Sequence, residues 1–183
     1  RPPGQHAEPN RAMGFCLFSN AALAATYALK QDDINNVVIF DWDVHHGNGT
    51  QNIVQSNPNI AYASIHQFPF YPGTGSQFEQ GDHNNVLNIP ISANLDSKEY
   101  LQKFDDCVFP FLQNFNPDIL IISAGFDAHR RDPLAGINLE TKDFAYMARQ
   151  CLKIQSNILL GLEGGYDLQA LGECSVSVLN ELV

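Results

Sequence analysis

The chain has 183 residues, enough for one domain with a sizeable buried core. Its 44% hydrophobic and 16% charged content fits a folded protein and excludes a disordered one. A net charge of −10 gives no electrostatic footing for direct nucleic-acid binding, and no apolar run approaches membrane-spanning length, so neither partner is expected.

Residues 1–6, Arg-Pro-Pro-Gly-Gln-His, read as a stiff loop presenting one histidine. Residues 20–31 are rich in alanine and leucine behind Ser19 or Asn20 as cap, and are expected to form a helix. The apolar, β-branched run from Val37 to Phe40 reads as a buried strand ending at Asp41. A short helix near 50–55 and a strand over 60–66 follow. Residues 67–84 hold three glycines and two prolines and are expected to form a long functional loop. A strand is expected at 86–91. Over 97–115, Leu101, Phe104, Val108 and Leu112 fall at helical spacing and predict one amphipathic helix. A strand over 119–125, a helix over 141–154, a strand over 158–162 and a last helix from Leu168 complete the order. Such alternation predicts an α/β fold of three layers, α/β/α, with helices covering a mostly parallel sheet in a single domain, 1–183. The four cysteines, Cys16, Cys107, Cys151 and Cys174, sit far apart in apolar segments without CxxC spacing. They read as reduced core thiols of a cytosolic protein.

The chemistry concentrates at predicted strand ends. In FDWDVHHGNGT (40–50), Asp43 and His45 are two apart, so on extended chain their side chains share a side. A carboxylate and an imidazole together make two-thirds of a catalytic zinc site. The third ligand is expected from Asp127, just beyond the strand at 119–125, because ligands in parallel α/β sheets collect at carboxyl ends of strands. The strand at 158–162 leads into Glu163-Gly164-Gly165-Tyr166, bringing a phenol to the same rim.

Six blocks occur in order: RPPGQHAE, MGFCLFSNAALAA, FDWDVHHGNGTQ, SIHQFPFYPGTG, SAGFDAHRRDPLAG and LEGGYDL. Together they resemble the zinc-dependent histone deacetylase family within the arginase/deacetylase fold. The similarity is greatest to its class II-like branch, which includes bacterial deacetylase-like amidohydrolases and acetylpolyamine deacetylases. The family normally has a substantial segment before RPPG, so the chain is expected to be a partial catalytic domain lacking the N-terminal part. An exposed apolar surface, covered by that segment or buried in a homo-oligomer, is expected to follow.

The resemblance implies one catalytic Zn2+ held by Asp43, His45 and Asp127. It implies His6 as general base and acid, and Tyr166 as donor to the scissile carbonyl. Phe15 and Tyr71 match aromatic walls of a narrow acyl-lysine tunnel, and Leu134 matches an apolar residue at its rim. A structural K+ or Na+ ion is implied at backbone oxygens of Asp41, Asp43 and His45 with Ser64 and Ile65. A second monovalent ion is implied at carbonyls of Val54, Asn57, Ile60 and Asn85. The expected activity is hydrolytic removal of acetyl from acetylated lysine or an acetylated small amine, in the cytoplasm, or the nucleus in a eukaryote.

Two departures stand out. The family's tandem His-His is Gln5-His6 here, so the dyad between a first histidine and Asp41 is absent. Asn48 stands as partner of His6, and an amide orients imidazole without stabilising imidazolium as a carboxylate does. Gln5 donates a hydrogen bond but cannot take a proton, so slowed turnover is expected. His46 reads as a hydrogen-bonded neighbour and not a ligand; His66, His83 and His129 read as structural or surface residues, and Asp132 as a turn residue or a support behind the ligands, not a ligand itself. A two-manganese arginase chemistry is disfavoured, because Gly47 and His129 stand where Asp-x-His-x-Asp and Asp-x-Asp need carboxylates. The alternative is a zinc-keeping acetyl-lysine binding or scaffold protein with little or no turnover.

Overall fold

A computed structural model describes residues 2–183. Five strands form one sheet: β1 (Val37–Asp41), β2 (Ile60–Gln67), β3 (Val86–Ile91), β4 (Ile119–Ala124) and β5 (Ile158–Leu162). Their order is β3-β2-β1-β4-β5, and every neighbouring pair is parallel. From β1 the chain builds outward through β2 to β3, then returns to the other side of β1 for β4 and β5. The winding therefore reverses between β1 and β4, and their carboxyl ends diverge into a crevice.

Helices cover both faces, as the alternating strand sequence requires. Val37 and Ile39 face α1 (Asn20–Ala28), where Ala21, Ala22 and Ala25 let the helix lie close to the sheet. Val54, the last residue of α2 (Asn48–Val54), joins that core. Val38, Phe40 and Trp42 point the other way into the larger core with Phe104, Phe144, Met147 and Val178. Phe104 belongs to the π-helical turn Phe104–Val108, Phe144 and Met147 to α5 (Thr141–Ile154) and Val178 to α6 (Leu168–Leu182), while α3 (Ser97–Lys103) adds Tyr100 and α4 (Phe109–Phe115) adds Leu112.

Three expectations need correction. The helix over 97–115 is interrupted: α3 passes through that π-helical turn into α4. Pro110 lacks the N–H that would continue the ladder, and a π turn is the local adjustment that accommodates it. Asn116 then ends α4 in the left-handed conformation (φ 52°). The first helix ends at Ala28, three residues before the predicted end at Gln31. All four cysteines are free, but Cys107 lies on the outer side of the π turn and is exposed, so only three are core thiols. At one edge β5 carries Leu159 at 47% exposure, and no helix among the described residues is long and apolar enough to cross a membrane.

Candidate active site

The crevice between β1 and β4 brings the predicted ligands together. Ligand atoms of Asp43, His45 and Asp127 lie within 4.8 Å of one another. His45 Nδ1 stands 3.0 Å from Asp43 Oδ1 and 3.1 Å from Asp127 Oδ2. Backbone N–H groups aim the carboxylates: Val44 donates to Asp127 Oδ1 at 2.8 Å, and Gly164 donates to Asp43 Oδ2 at 2.8 Å. A methyl group at Gly164 would overlap both carboxylates, so the β5 turn approaches them this closely only with glycine there.

The charge balance favours a cation. Asp41, Asp43, Asp127 and Glu163 are all buried around this point. Burial first, and then the Asp43 charge, raise the carboxyl of Asp127 to about 7. Burial opposes protonation of His45, yet Asp127 and Asp43 push its pKa up to about 10. An imidazolium is the only positive charge this cluster can make for itself. Asp127 Oδ2 is buried and has no well-aligned hydrogen bond among the described residues. One histidine, two carboxylates and an orphaned carboxylate oxygen are the donor set of a catalytic zinc site, so these residues fit the ion.

His6 sits beside this cluster, its ring 5.9 Å from that of His45. Its Nδ1 pairs with Asn48 Oδ1 at 2.8 Å, and Asn48 Nδ2 donates to Glu8 Oε1 at 2.7 Å. Burial lowers the pKa of His6, more than the Asn48 hydrogen bond and Asp43 raise it. The loop that carries it is clamped from the end of β5: Gly4 and Gln5 donate backbone N–H to Glu163 Oε2 at 2.6 and 3.2 Å. Gly14 lies flat on the imidazole at φ +57°, where any side chain would strike the ring.

The rest of the expected site gathers in a cavity of about 360 Å³ lined by Gln5, His6, Asp43, His45, Tyr71 and Tyr166, with Phe15 and Leu134 at its mouth. His45 stacks on Phe70 at 5.0 Å, and Tyr71 meets His6 edge-on at 5.1 Å. The expected narrow tunnel is here a buried floor with an open mouth, because Phe15 is 81% and Leu134 55% exposed. Phe15 stands there on a left-handed backbone (φ 64°), an uncommon conformation for an aromatic residue.

Gln5 is buried, its Nε2 3.5 Å from His6 Nε2 and its Oε1 without a hydrogen-bond partner among the described residues. The missing dyad has a replacement that sequence reasoning did not find. Tyr62 on β2 donates its hydroxyl to Asp41 Oδ2 at 3.0 Å and accepts the N–H of Gly47. Asp132 supports the site without being a ligand: its carboxylate accepts from Tyr166 N at 2.7 Å and from Leu134 N at 2.9 Å, tying two walls together. His46 is no ligand and instead bonds Thr74 and Gln51 under the long loop. His66 is likewise buried, bonded to Ser64 and Gly75.

Asp41, the last residue of β1, is the register partner of Ser64 within β2, with Ile65 next along. Asp41 is fully buried, and burial, then Asp43 and Glu163, push its carboxyl well above the usual range.

Comparison with known proteins identifies the family and the fold. A family model described as the histone deacetylase domain matches residues 1–182. The chain belongs to the histone deacetylase family. An uncharacterized protein of Synechocystis sp. is 50% identical over the whole chain, which covers 60% of that relative. The chloroplastic histone deacetylase 10 of Oryza sativa is 42% identical over 93% of the chain and 40% of its own length. The crystal structure of the HDA15 HD domain superposes with a TM-score of 0.95 at 40% identity, over all of this chain and 53% of that one. The chain thus spans 40% of the Oryza sativa deacetylase and 53% of the HDA15 HD domain chain, and within the family its sheet is the all-parallel arginase/deacetylase arrangement.

Proposed function

We propose that this deacetylase-family chain is a zinc-dependent amidohydrolase that removes acetyl from acetylated lysine or an acetylated small amine. The observation that carries the reading is the convergence of Asp43, His45 and Asp127 beside the oriented base His6 in one cavity. When bound there, Zn2+ polarises the acetyl carbonyl and acidifies the attacking water. The protein's own groups do the rest. With Asn48 Oδ1 accepting from Nδ1, His6 presents Nε2 as base, takes the water's proton and returns it to the leaving amine. Tyr166 donates to the developing oxyanion, held by the Asp132 clamp on its backbone. Phe15, Tyr71 and Leu134 flank the alkyl stem, and a K+ or Na+ ion at Asp41, Asp43, His45, Ser64 and Ile65 steadies the β1 end. A cytoplasmic or nuclear location suits such a substrate.

The test is acetate release by the full chain loaded with Zn2+, comparing an acetyl-lysine peptide, acetylputrescine and acetylspermidine. Turnover of one of them, lost in Asp127→Ala, supports the reading. Zinc binding without turnover of any of them supports a second reading, an acetyl-lysine binding or scaffold protein. That alternative is favoured by one observation: Asp41 is engaged by Tyr62, and Gln5 cannot carry a proton.

A further inference from the structure

The turn joining α2 to β2 gathers carbonyl oxygens around one side chain. Val54 ends α2, Asn57 lies in the turn, and Ile60 opens β2. Asn85, the residue before β3, is 2% exposed and directs its amide into all three. Its Nδ2 donates to Ile60 O at 2.8 Å and Asn57 O at 3.1 Å, and lies 3.4 Å from Val54 O. Two of these oxygens already accept one backbone N–H each: Val54 O from Asn57 at 2.9 Å, and Asn57 O from Ile60 at 3.2 Å. The amide therefore takes up the second lone pairs of Val54 O and Asn57 O and a lone pair of Ile60 O.

The amide's orientation is settled by its other end. Asn85 Oδ1 accepts from His83 N at 3.4 Å and packs beneath Gly81, where a methyl group would overlap it. The Asn85 main-chain oxygen accepts the N–H of Tyr62 at 2.9 Å. Three converging carbonyls can be satisfied by a desolvated monovalent cation or by an –NH2 group, but not by both in one place.

The family resemblance implies a second monovalent ion at these carbonyls, and the residues present do not fit it. We propose that in this chain the Asn85 side-chain amide takes the place of that ion, joining the α2–β2 turn to the start of β3 by covalent chain. To enter, a cation would have to expel a buried amide and leave its donors unsatisfied. The inference concerns folding and stands whether or not the chain is catalytically active.

Diffraction from crystals of the zinc-loaded full chain soaked in Tl+, a heavy stand-in for K+, tests it directly. No Tl+ peak is expected among Val54, Asn57 and Ile60 in the wild type, and one is expected in Asn85→Ala, where the cradle is emptied. In solution, K+ in place of choline at equal ionic strength should give Asn85→Ala a saturable rise in unfolding temperature larger than the rise the wild type shows from the ion at the end of β1. A Tl+ peak in the wild-type cradle, or none in either protein, overturns the proposal. Should Asn85→Ala not fold in choline, rescue by K+ supports it and failure of that rescue overturns it.

Discussion

His6 and Asn48 are joined by a single hydrogen bond of 2.8 Å that decides which imidazole nitrogen faces the cavity. Asn48 spends its amide N–H on Glu8, so its oxygen is the atom left for His6. The proton must then sit on Nδ1 and the lone pair on Nε2, which is the tautomer a general base needs here.

Replacing that amide by a carboxylate changes the titration. Asn48→Asp places a negative charge on Nδ1–H and raises the His6 pKa, by roughly one to three units for a close opposite charge. The base form is then lost at higher pH, so the acid limb of kcat/KM moves up. In the wild type burial holds His6 below its ordinary 6.5, so its acid limb lies below that pH. A pH–rate profile that does not move in Asn48→Asp would mean that His6 is not the titrating base.

His6→Ala should lower the rate of deacetylation by about 10²–10⁴-fold, the usual worth of a positioned general base. Tyr166→Phe should cost about 10²–10³-fold by removing an oxyanion donor. Both variants should keep bound zinc and an unchanged circular dichroism spectrum. Loss of zinc along with activity would reassign them to the metal's support.

Asp127→Ala should abolish stoichiometric zinc, because two ligands with an open flank hold the ion poorly. Elemental analysis of wild type and variant after dialysis gives the answer. Retention of one zinc per chain in Asp127→Ala would be incompatible with the three-residue site.

Gln5→His by itself should change the rate little, because Tyr62 already holds Asp41 Oδ2 at 3.0 Å. Combined with Tyr62→Phe, which frees that oxygen, it should raise the rate or broaden the pH profile. Equal rates and equal profiles in the single and double variants would show that the Asp41 pairing does not limit turnover.

Asp132→Ala should reduce kcat by about 10–100-fold, as loss of an orienting partner does at comparable sites. The carboxylate ties the backbone of Tyr166 to that of Leu134, so KM should rise as well. Asp132→Asn keeps one acceptor oxygen and should recover part of the loss. A fall in thermal stability with kcat intact would reduce Asp132 to a turn residue, one of the two ways its place before Pro133 reads in sequence.

The sequence by itself determined the strand and helix order, because apolar β-branched runs and capped helical periods are local signals that burial only reinforces. The strands at Val37, Val86 and Ile158 fall where those signals end. It also marked Asp43, His45 and Asp127, since charged residues directly after buried strands have few structural reasons to be there, while the family blocks supplied the roles of His6 and Tyr166. The ordered blocks of a known family did more for Phe15, Tyr71 and Leu134, whose side chains alone would pass for packing. What it could not show were contacts between residues far apart in the chain. Tyr62 and Asp41 are 21 residues apart, Glu163 and Gly4 159, and Tyr166 and Asp132 34. Each pairing depends on β1, β2, β4 and β5 lying side by side in one register, and no local pattern encodes that. Likewise the resemblance marks only the main-chain carbonyl of Asn85, and its side-chain amide gains a role only when the fold sets three carbonyls against it. Only tertiary structure decides which buried polar group meets which, because the energy of leaving one unpaired is felt only once water has been excluded.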